Sequence, residues 1–184
     1  FNTPTAGNAL PIVVCDVDET GNTTFDLSQK DTELLNGQDD STYTVSYFFD
    51  EGDANANQNP LPKKAYTNTN IVETIYARVH AINLEICYAI SSFTLEINPL
   101  PDPVLQERYV ICPDSPELTI DGGDFESWSW RDTNNNEIEN GRFLNVDALG
   151  DYTLTVSHSP TGLTCEKTVS IEVVSSGAPD DFTT

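Results

Sequence analysis

Four cysteines divide this chain into two halves of similar layout, and that division limits the possible folds more than any other feature. Cys15 and Cys87 lie in the first half, Cys112 and Cys165 in the second. Each first cysteine follows a short apolar run, Pro11-Ile-Val-Val-Cys15 and Tyr109-Val-Ile-Cys112. Each second cysteine precedes a long alternating run that ends its half. Asn/Pro approaches, Asn2-Thr-Pro4 and Asn98-Pro99, sit upstream of both. There is no CxxC and no Cys/His cluster, which argues against zinc. Four cysteines allow three pairings. The layout points to Cys15–Cys87 and Cys112–Cys165, one staple inside each half, closing loops of 72 and 53 residues. On the chain-entropy account each closure contributes roughly 4 kcal/mol. Disulfides of this kind imply an oxidising compartment.

Alternation of apolar and polar residues dominates the remainder. Tyr43, Val45, Tyr47 and Phe49 fall on one face of a strand; Ile75, Ala77, Val79 and Ala81 fall on one face of another. Cys87, Ala89, Phe93, Leu95 and Ile97 share a parity, as do Cys165, Val169, Ile171 and Val173. Tyr152, Leu154 and Val156 form a further stripe. Helical signals are short: Ser28–Gly37 reads as one or two turns, and Asp50–Asn57 as a turn or open loop. Turn chemistry is plentiful, at Gly21, Gly122-Gly123, Asn134–Asn136 and Asn140-Gly141. The expected fold is all-β: two tandem immunoglobulin-like β-sandwiches, each with one intradomain disulfide. The expected boundaries are residues 1–98 and 105–176, with a proline-rich linker at 99–104 and a tail or next linker at 177–184. Phe1 at the start and the abrupt end at Thr184 read as a fragment of something longer.

Charge narrows the function. The chain carries 30 Asp+Glu against 8 Lys+Arg, a net charge of -22. Such a surface repels phosphate backbones and anionic lipid, so nucleic-acid and membrane-surface binding are not expected. No apolar segment is long enough to span a bilayer and no signal peptide is visible.

In order along the first half stand Cys15-Asp-Val-Asp-Glu-Thr-Gly21, Phe25-Asp-Leu27, Tyr47-Phe-Phe49, Ile75-Tyr-Ala-Arg-Val79, Cys87 and Ile97-Asn-Pro-Leu-Pro101. This succession resembles the immunoglobulin-like repeat modules of large Bacteroidota surface proteins. Those proteins are similar to gliding-motility adhesins and are exported by the type IX system. The second half, with Tyr109-Val-Ile-Cys112, Leu118-Thr-Ile120, Trp128-Ser-Trp130, Gly150-Asp-Tyr-Thr-Leu154 and Cys165, resembles the module that often follows such repeats. The resemblance implies an extracellular or cell-surface stalk or adhesin segment whose partners are neighbouring modules of the same chain. It transfers no catalytic residue.

Local chemistry offers a few candidates. Asp16, Asp18 and Asp26, with Gly21 in the turn, are a candidate Ca2+ site, since calcium needs several closely spaced oxygens. The stretch lacks the closing glutamate of an EF-hand loop, Leu27 standing in that place; the competing reading is a polar hairpin. Asp132-Thr-Asn-Asn-Asn-Glu137 reads as a hairpin loop, with a metal site as the alternative, and Asp121-Gly-Gly-Asp124 as a turn. Trp130 is expected to pack on a Cys112–Cys165 disulfide, in the manner of immunoglobulin domains. Trp128 is either a core-edge residue or an exposed platform for glycan stacking. His80, on the parity opposite the core stripe, is expected to be exposed, and it lies in a different half from His158. No nucleophile elbow or phosphate loop occurs. Asn22-Thr-Thr24 and Asp40-Ser-Thr42 are glycosylation-type tripeptides. The expected function is a non-catalytic structural or adhesive segment of a secreted or surface protein. The alternative is a carbohydrate-binding module of a secreted polysaccharide-acting protein, with a cell-surface or extracellular glycan as partner.

Overall fold

A computed structural model of the chain describes residues 3–112 and 117–176; the expected tail at 177–184 lies outside them. The chain divides into two compact units, Phe1–Pro99 and Leu100–Thr184. The first holds β1 (Ile12–Cys15), β2 (Thr24–Phe25), α1 (Asp31–Leu35), β3 (Tyr43–Phe48), α2 (Glu51–Ala56), β4 (Tyr66–Thr67), β5 (Val72–Ala81) and β6 (Leu84–Asn98). A 3-10 turn, Leu27–Lys30, leads into α1. The second holds β7 (Arg108–Ile111), β8 (Leu118–Asp121), β9 (Ser127–Arg131), β10 (Glu137–Glu139), β11 (Phe143–Val146), β12 (Gly150–His158) and β13 (Cys165–Ser175).

The two units share one topology. In the first, the main sheet runs β1-β6-β5-β3 and faces the small pair β2-β4; in the second, it runs β10-β9-β12-β13-β7 and β8-β11 form the small pair. In both, the first strand pairs in parallel with the last, and the last pairs antiparallel with the one before it. The second unit adds β10 as an extra edge strand. This is an immunoglobulin-like sandwich arrangement, in which a strand that starts beside one sheet's edge closes against the chain's final strand.

Period-two side-chain alternation builds each core. On β5, Ile75, Ala77 and Val79 are wholly buried and Ala81 nearly so; they meet Tyr43, Val45 and Tyr47 of β3 and Phe93, Leu95 and Ile97 of β6. The small pair contributes only Phe25 and Tyr66, and Leu27, Leu34 and Leu35 from the helical segment complete the lid over this core. Gly7 permits that lid to approach: its N–H donates to the Leu34 carbonyl at 2.8 Å, and a Cβ there would lie 2.1 Å from the Glu33 oxygen. In the second unit Trp130, Leu154, Val156, Ile120, Ile171 and Val173 form the core.

Two expectations about exposure change, and one about packing. Phe49 is half exposed and Phe48 is fully buried instead. β3 ends at Phe48 because Asp50 caps α2, its carboxylate accepting the Gly52 and Asp53 N–H groups, so the alternation stops one residue early. His80 is buried, not exposed. The outer side of the main sheet is covered in part by α2, which packs on β3 and β5. Arg78, on the same outer parity, donates to the Ala54 carbonyl at 2.8 Å and to that of Glu85 at 2.6 Å, and its guanidinium lies 3.5 Å from the centre of the Tyr88 ring. Trp130 is completely buried, yet no Cys112–Cys165 bond lies against it; its indole N–H donates to the Gly141 carbonyl at 3.0 Å.

Two outcomes follow from this packing. Trp130→Ala should destabilise the second unit by about 3–5 kcal/mol, read in urea through the fluorescence of Trp128; a loss below about 1 kcal/mol would mean Trp130 is not the centre of that core. Burial first, and then the Arg78 cation, hold His80 below the usual histidine range. Its folded pKa is therefore the lower one, so the stability linked to it is present above pH about 6.5 and is lost as pH falls through the folded value. His80→Gln should flatten the urea stability profile between pH 7 and pH 5; parallel profiles for the two proteins would refute this.

Candidate functional site

Cys15 and Cys165 are disulfide-bonded, whereas Cys87 and Cys112 are free thiols. The one bond is therefore Cys15–Cys165, and neither expected intradomain staple exists. Strand register explains why. Cys15 ends β1 directly opposite Asn98, the last residue of β6. Cys87 lies eleven residues earlier on that same strand, about 36 Å away along it at ~3.3 Å per residue. A disulfide needs Cα atoms within about 7 Å. The second unit repeats the geometry. Ile111 pairs with Ser175, so Cys112 stands opposite position 176, eleven residues beyond Cys165. In each unit the two cysteines thus occupy opposite poles of the sandwich.

The pole carrying Cys15 is locally braced. The Asp16 N–H donates to the Asn98 carbonyl at 2.8 Å, extending the β1–β6 ladder past the cysteine. The chain then turns through Asp16–Gly21. One carboxylate oxygen of Asp16 accepts the Thr20 and Gly21 N–H groups, and the other accepts Gly21 again at 3.0 Å. Asp18 accepts both the N–H and the hydroxyl of Thr20, and that hydroxyl is the main reason its carboxyl lies below the usual aspartate range. Gly21, at φ 71°, is the residue type that this left-handed turn position favours. Buried Asn68 then ties the turn down: its amide donates to the Gly21 carbonyl at 2.9 Å and its oxygen accepts the Thr23 N–H at 2.7 Å.

Asp26 serves a separate purpose. It caps the 3-10 turn, accepting the N–H and hydroxyl of Ser28, and that hydroxyl lowers its pKa. The Asp16, Asp18 and Asp26 carboxylates are engaged in two different local networks, and among the described residues no group of three His, Cys, Asp or Glu is placed to hold a metal ion. Asp132 closes the β9–β10 hairpin, one oxygen accepting the Asn134 and Asn136 N–H groups. Trp128 is half-buried against the second core, its indole N–H donating to the Gly123 carbonyl at 3.2 Å. Among the described residues no helix is long and apolar enough to cross a membrane.

The remaining cysteines sit in contrasting settings. Cys165, the first residue of β13, pairs with His158 and is buried. Cys112, just past β7, is exposed. Cys87 is half-buried near the start of β6. There His80 pairs with Tyr88 while Ala81 pairs with Leu84, so residues 85–87 form a bulge that interrupts the ladder. Non-reducing peptide mapping should therefore recover one Cys15–Cys165 peptide pair and alkylation at Cys87 and Cys112 alone. Recovery of Cys15–Cys87 would overturn the register argument.

No curated protein matches the chain. Among solved structures it is similar to Sidekick-1 immunoglobulin domains 1–4, at 12% identity and a TM-score of 0.38, with 96% of this chain covered and 48% of that one. The chain thus spans about half the length of that structure. It is also similar to the Bacteroides ovatus mixed-linkage glucan utilization locus protein SGBP-B in complex with a mixed-linkage heptasaccharide, at 15% identity and a TM-score of 0.26, covering 91% and 43%. A chimeric titin Z1Z2 gives 10% identity and a TM-score of 0.28, covering 96% and 97%. These likenesses are too low to carry any functional argument. The sequence match is more pointed: residues 11–101, which contain nearly all of the first unit and both of its cysteines, match the family described as the Flavobacterium inter-domain disulphide bond domain.

Proposed function

We propose that this chain is a non-catalytic structural segment, a stalk or spacer, of a secreted or surface-displayed bacterial protein, and that Cys15–Cys165 is its junction brace. The observation that carries this is the location of the bond's two ends. Cys15 belongs to the first compact unit and Cys165 to the second. A bond confined to one sandwich would stabilise that sandwich alone. A bond from one compact unit to the other adds a second covalent tie to the one the backbone already makes through residues 99–104.

The sequence between the units supports the same reading. Pro99, Pro101 and Pro103 fix φ at three alternate positions, which favours an extended and fairly stiff connection. The disulfide itself suits an oxidising, extracellular setting. The matched family's description, with its inter-domain disulphide, fits a brace of this type. Export by a type IX route, as in the gliding-motility adhesins that the sequence resembles, completes the proposal. The spacer reading needs no ion at Asp16 and Asp18: both Asp16 oxygens and one Asp18 oxygen accept hydrogen bonds from Thr20 and Gly21 within the same turn. The packed setting of Trp128 favours a spacer over a sugar platform.

Small-angle X-ray scattering tests the brace. Cys15→Ser, or mild reduction of the native chain, should broaden the pair-distance distribution and raise the flexibility of the scattering curve, with far-ultraviolet circular dichroism unchanged at the measuring temperature. Superimposable curves for the bonded and unbonded proteins would overturn the proposal.

A further inference from the structure

The second unit leaves one edge of its main sheet without a strand beside it. β10 is the outermost strand there, with β9 as its one neighbour. Between β10, β11 and the turns that follow β9 and β11 lies a groove of about 440 Å3. Leu144 and Tyr152, both buried in the second core, form its floor. Ile138 and Leu149, 44% and 57% exposed, form apolar walls. Asp132, Glu139 and Asp147 also line it, and among the described residues no Lys or Arg does.

Local structure builds this groove in advance. Consecutive side chains of a regular strand point to opposite faces. The register of β10 on β9 slips between Glu137 and Glu139, and that bulge lets Ile138 and Glu139 line the same hollow. The Thr133 hydroxyl donates to the Asp151 carbonyl at 3.1 Å and accepts the Asp151 N–H at 3.2 Å, which ties the β9–β10 hairpin to β12. The Tyr152 hydroxyl donates to the Ala148 carbonyl at 2.9 Å and fixes the turn after β11. One Glu139 oxygen accepts the Asn140 and Gly141 N–H groups, at 2.8 and 3.0 Å. The carboxylates act on the floor as well as on the rim: burial first, and then Asp147 and Asp132, raise the Tyr152 phenol above the usual tyrosine range. The cations nearest in sequence are engaged elsewhere, Arg131 with Glu137 at 3.5 Å and Arg142 with Asp121 at 2.6 Å.

We propose that this groove docks an extended, cationic segment of a partner protein. The segment lies along β10, whose outer backbone edge can take a further strand. Its apolar residues meet Ile138, Leu149 and the floor, and the alternate Lys or Arg residues reach the rim carboxylates. Charge complementarity selects this occupant: the rim is uniformly anionic, and the chain's net charge of -22 draws cations toward it and repels acidic segments. The exposed aliphatic walls separate the groove from the chain's other acidic turns, which would hold a cation by charge alone. The proposal goes beyond the spacer reading and does not depend on it.

The test titrates the whole 15N-labelled chain, disulfide intact, with acetyl-Lys-Val-Lys-Val-Lys-Val-Lys-amide. Amide shifts should concentrate between residues 132 and 152. A Lys-Gly peptide of the same length and charge should bind about tenfold more weakly, and a Glu-Val peptide should not bind. Glu139→Gln with Asp147→Asn should weaken the Lys-Val peptide by about tenfold. Glu107→Gln with Glu166→Gln, an equal change of charge at exposed positions outside the groove, should leave it nearly unchanged. The amide spectra of the variants confirm that they fold. No binding, equal binding of the Lys-Gly peptide, shifts spread over the surface, or equal weakening by the two double variants would overturn the proposal.

Discussion

The parallel pairing of the first strand with the last governs this molecule. An antiparallel hairpin of β1 and β6 would have run Cys15 back toward the beginning of β6. Parallel pairing does the reverse: both strands reach the same edge together, so the cysteine that ends β1 arrives beside Asn98 and far from Cys87. The second unit obeys the same rule with β7 and β13. Everything distinctive about the sulfur chemistry follows from this one hydrogen-bond pattern, because it removes the intradomain bond from geometric reach in both units.

The sequence exposed the fold well and the cross-linking poorly, for a physical reason. Core stripes such as Ile75–Ala81 and Tyr152–Val156 are local: alternation along one strand reveals which face is buried without reference to any other strand. The duplicated layout around the cysteines was equally local, and it corresponds to a shared strand topology. The choice of sulfur partner is not local. It depends on whether two strands far apart in sequence run in the same direction. A pointer was present in the cysteine context, since one cysteine closes a short apolar run and the other opens a long one. Combined with a parallel first-to-last pairing, those two positions fall at opposite edges.

His80 and Phe49 illustrate a second limit. Alternation assigns one face of a strand to the core but does not say that the other face is wet. On β5 the outer parity holds Arg78 and His80, and both are buried. Arg78 meets this by finding backbone carbonyls on α2 and on the bulged segment of β6, the low-cost way to bury a cation. α2 itself was legible only as a six- to eight-residue polar stretch, too short to declare that it roofs a sheet. Phe49 failed because Asp50 begins a helix cap, and a cap overrides the strand pattern one residue before it. The acidic turns were the converse case. Asp16, Asp18 and Asp132 look from spacing like ligand sets; in the fold each accepts hydrogen bonds from its own turn, as short acidic side chains in tight turns commonly do.

The placement of the Cys15–Cys165 bond also decides how tension would travel along the polypeptide. The shortest covalent route from one side of the chain to the other leaves the backbone at residue 15 and rejoins it at residue 165. Pulling force would run through β1, across the sulfurs and along β13, leaving the intervening residues off the load path. That segment stores on the order of 500 Å of contour at ~3.4 Å per residue, and none of it can be paid out while the sulfurs hold. A string of such segments would behave under load as a nearly inextensible cord, and a reductant would convert it into one with a large reserve of slack.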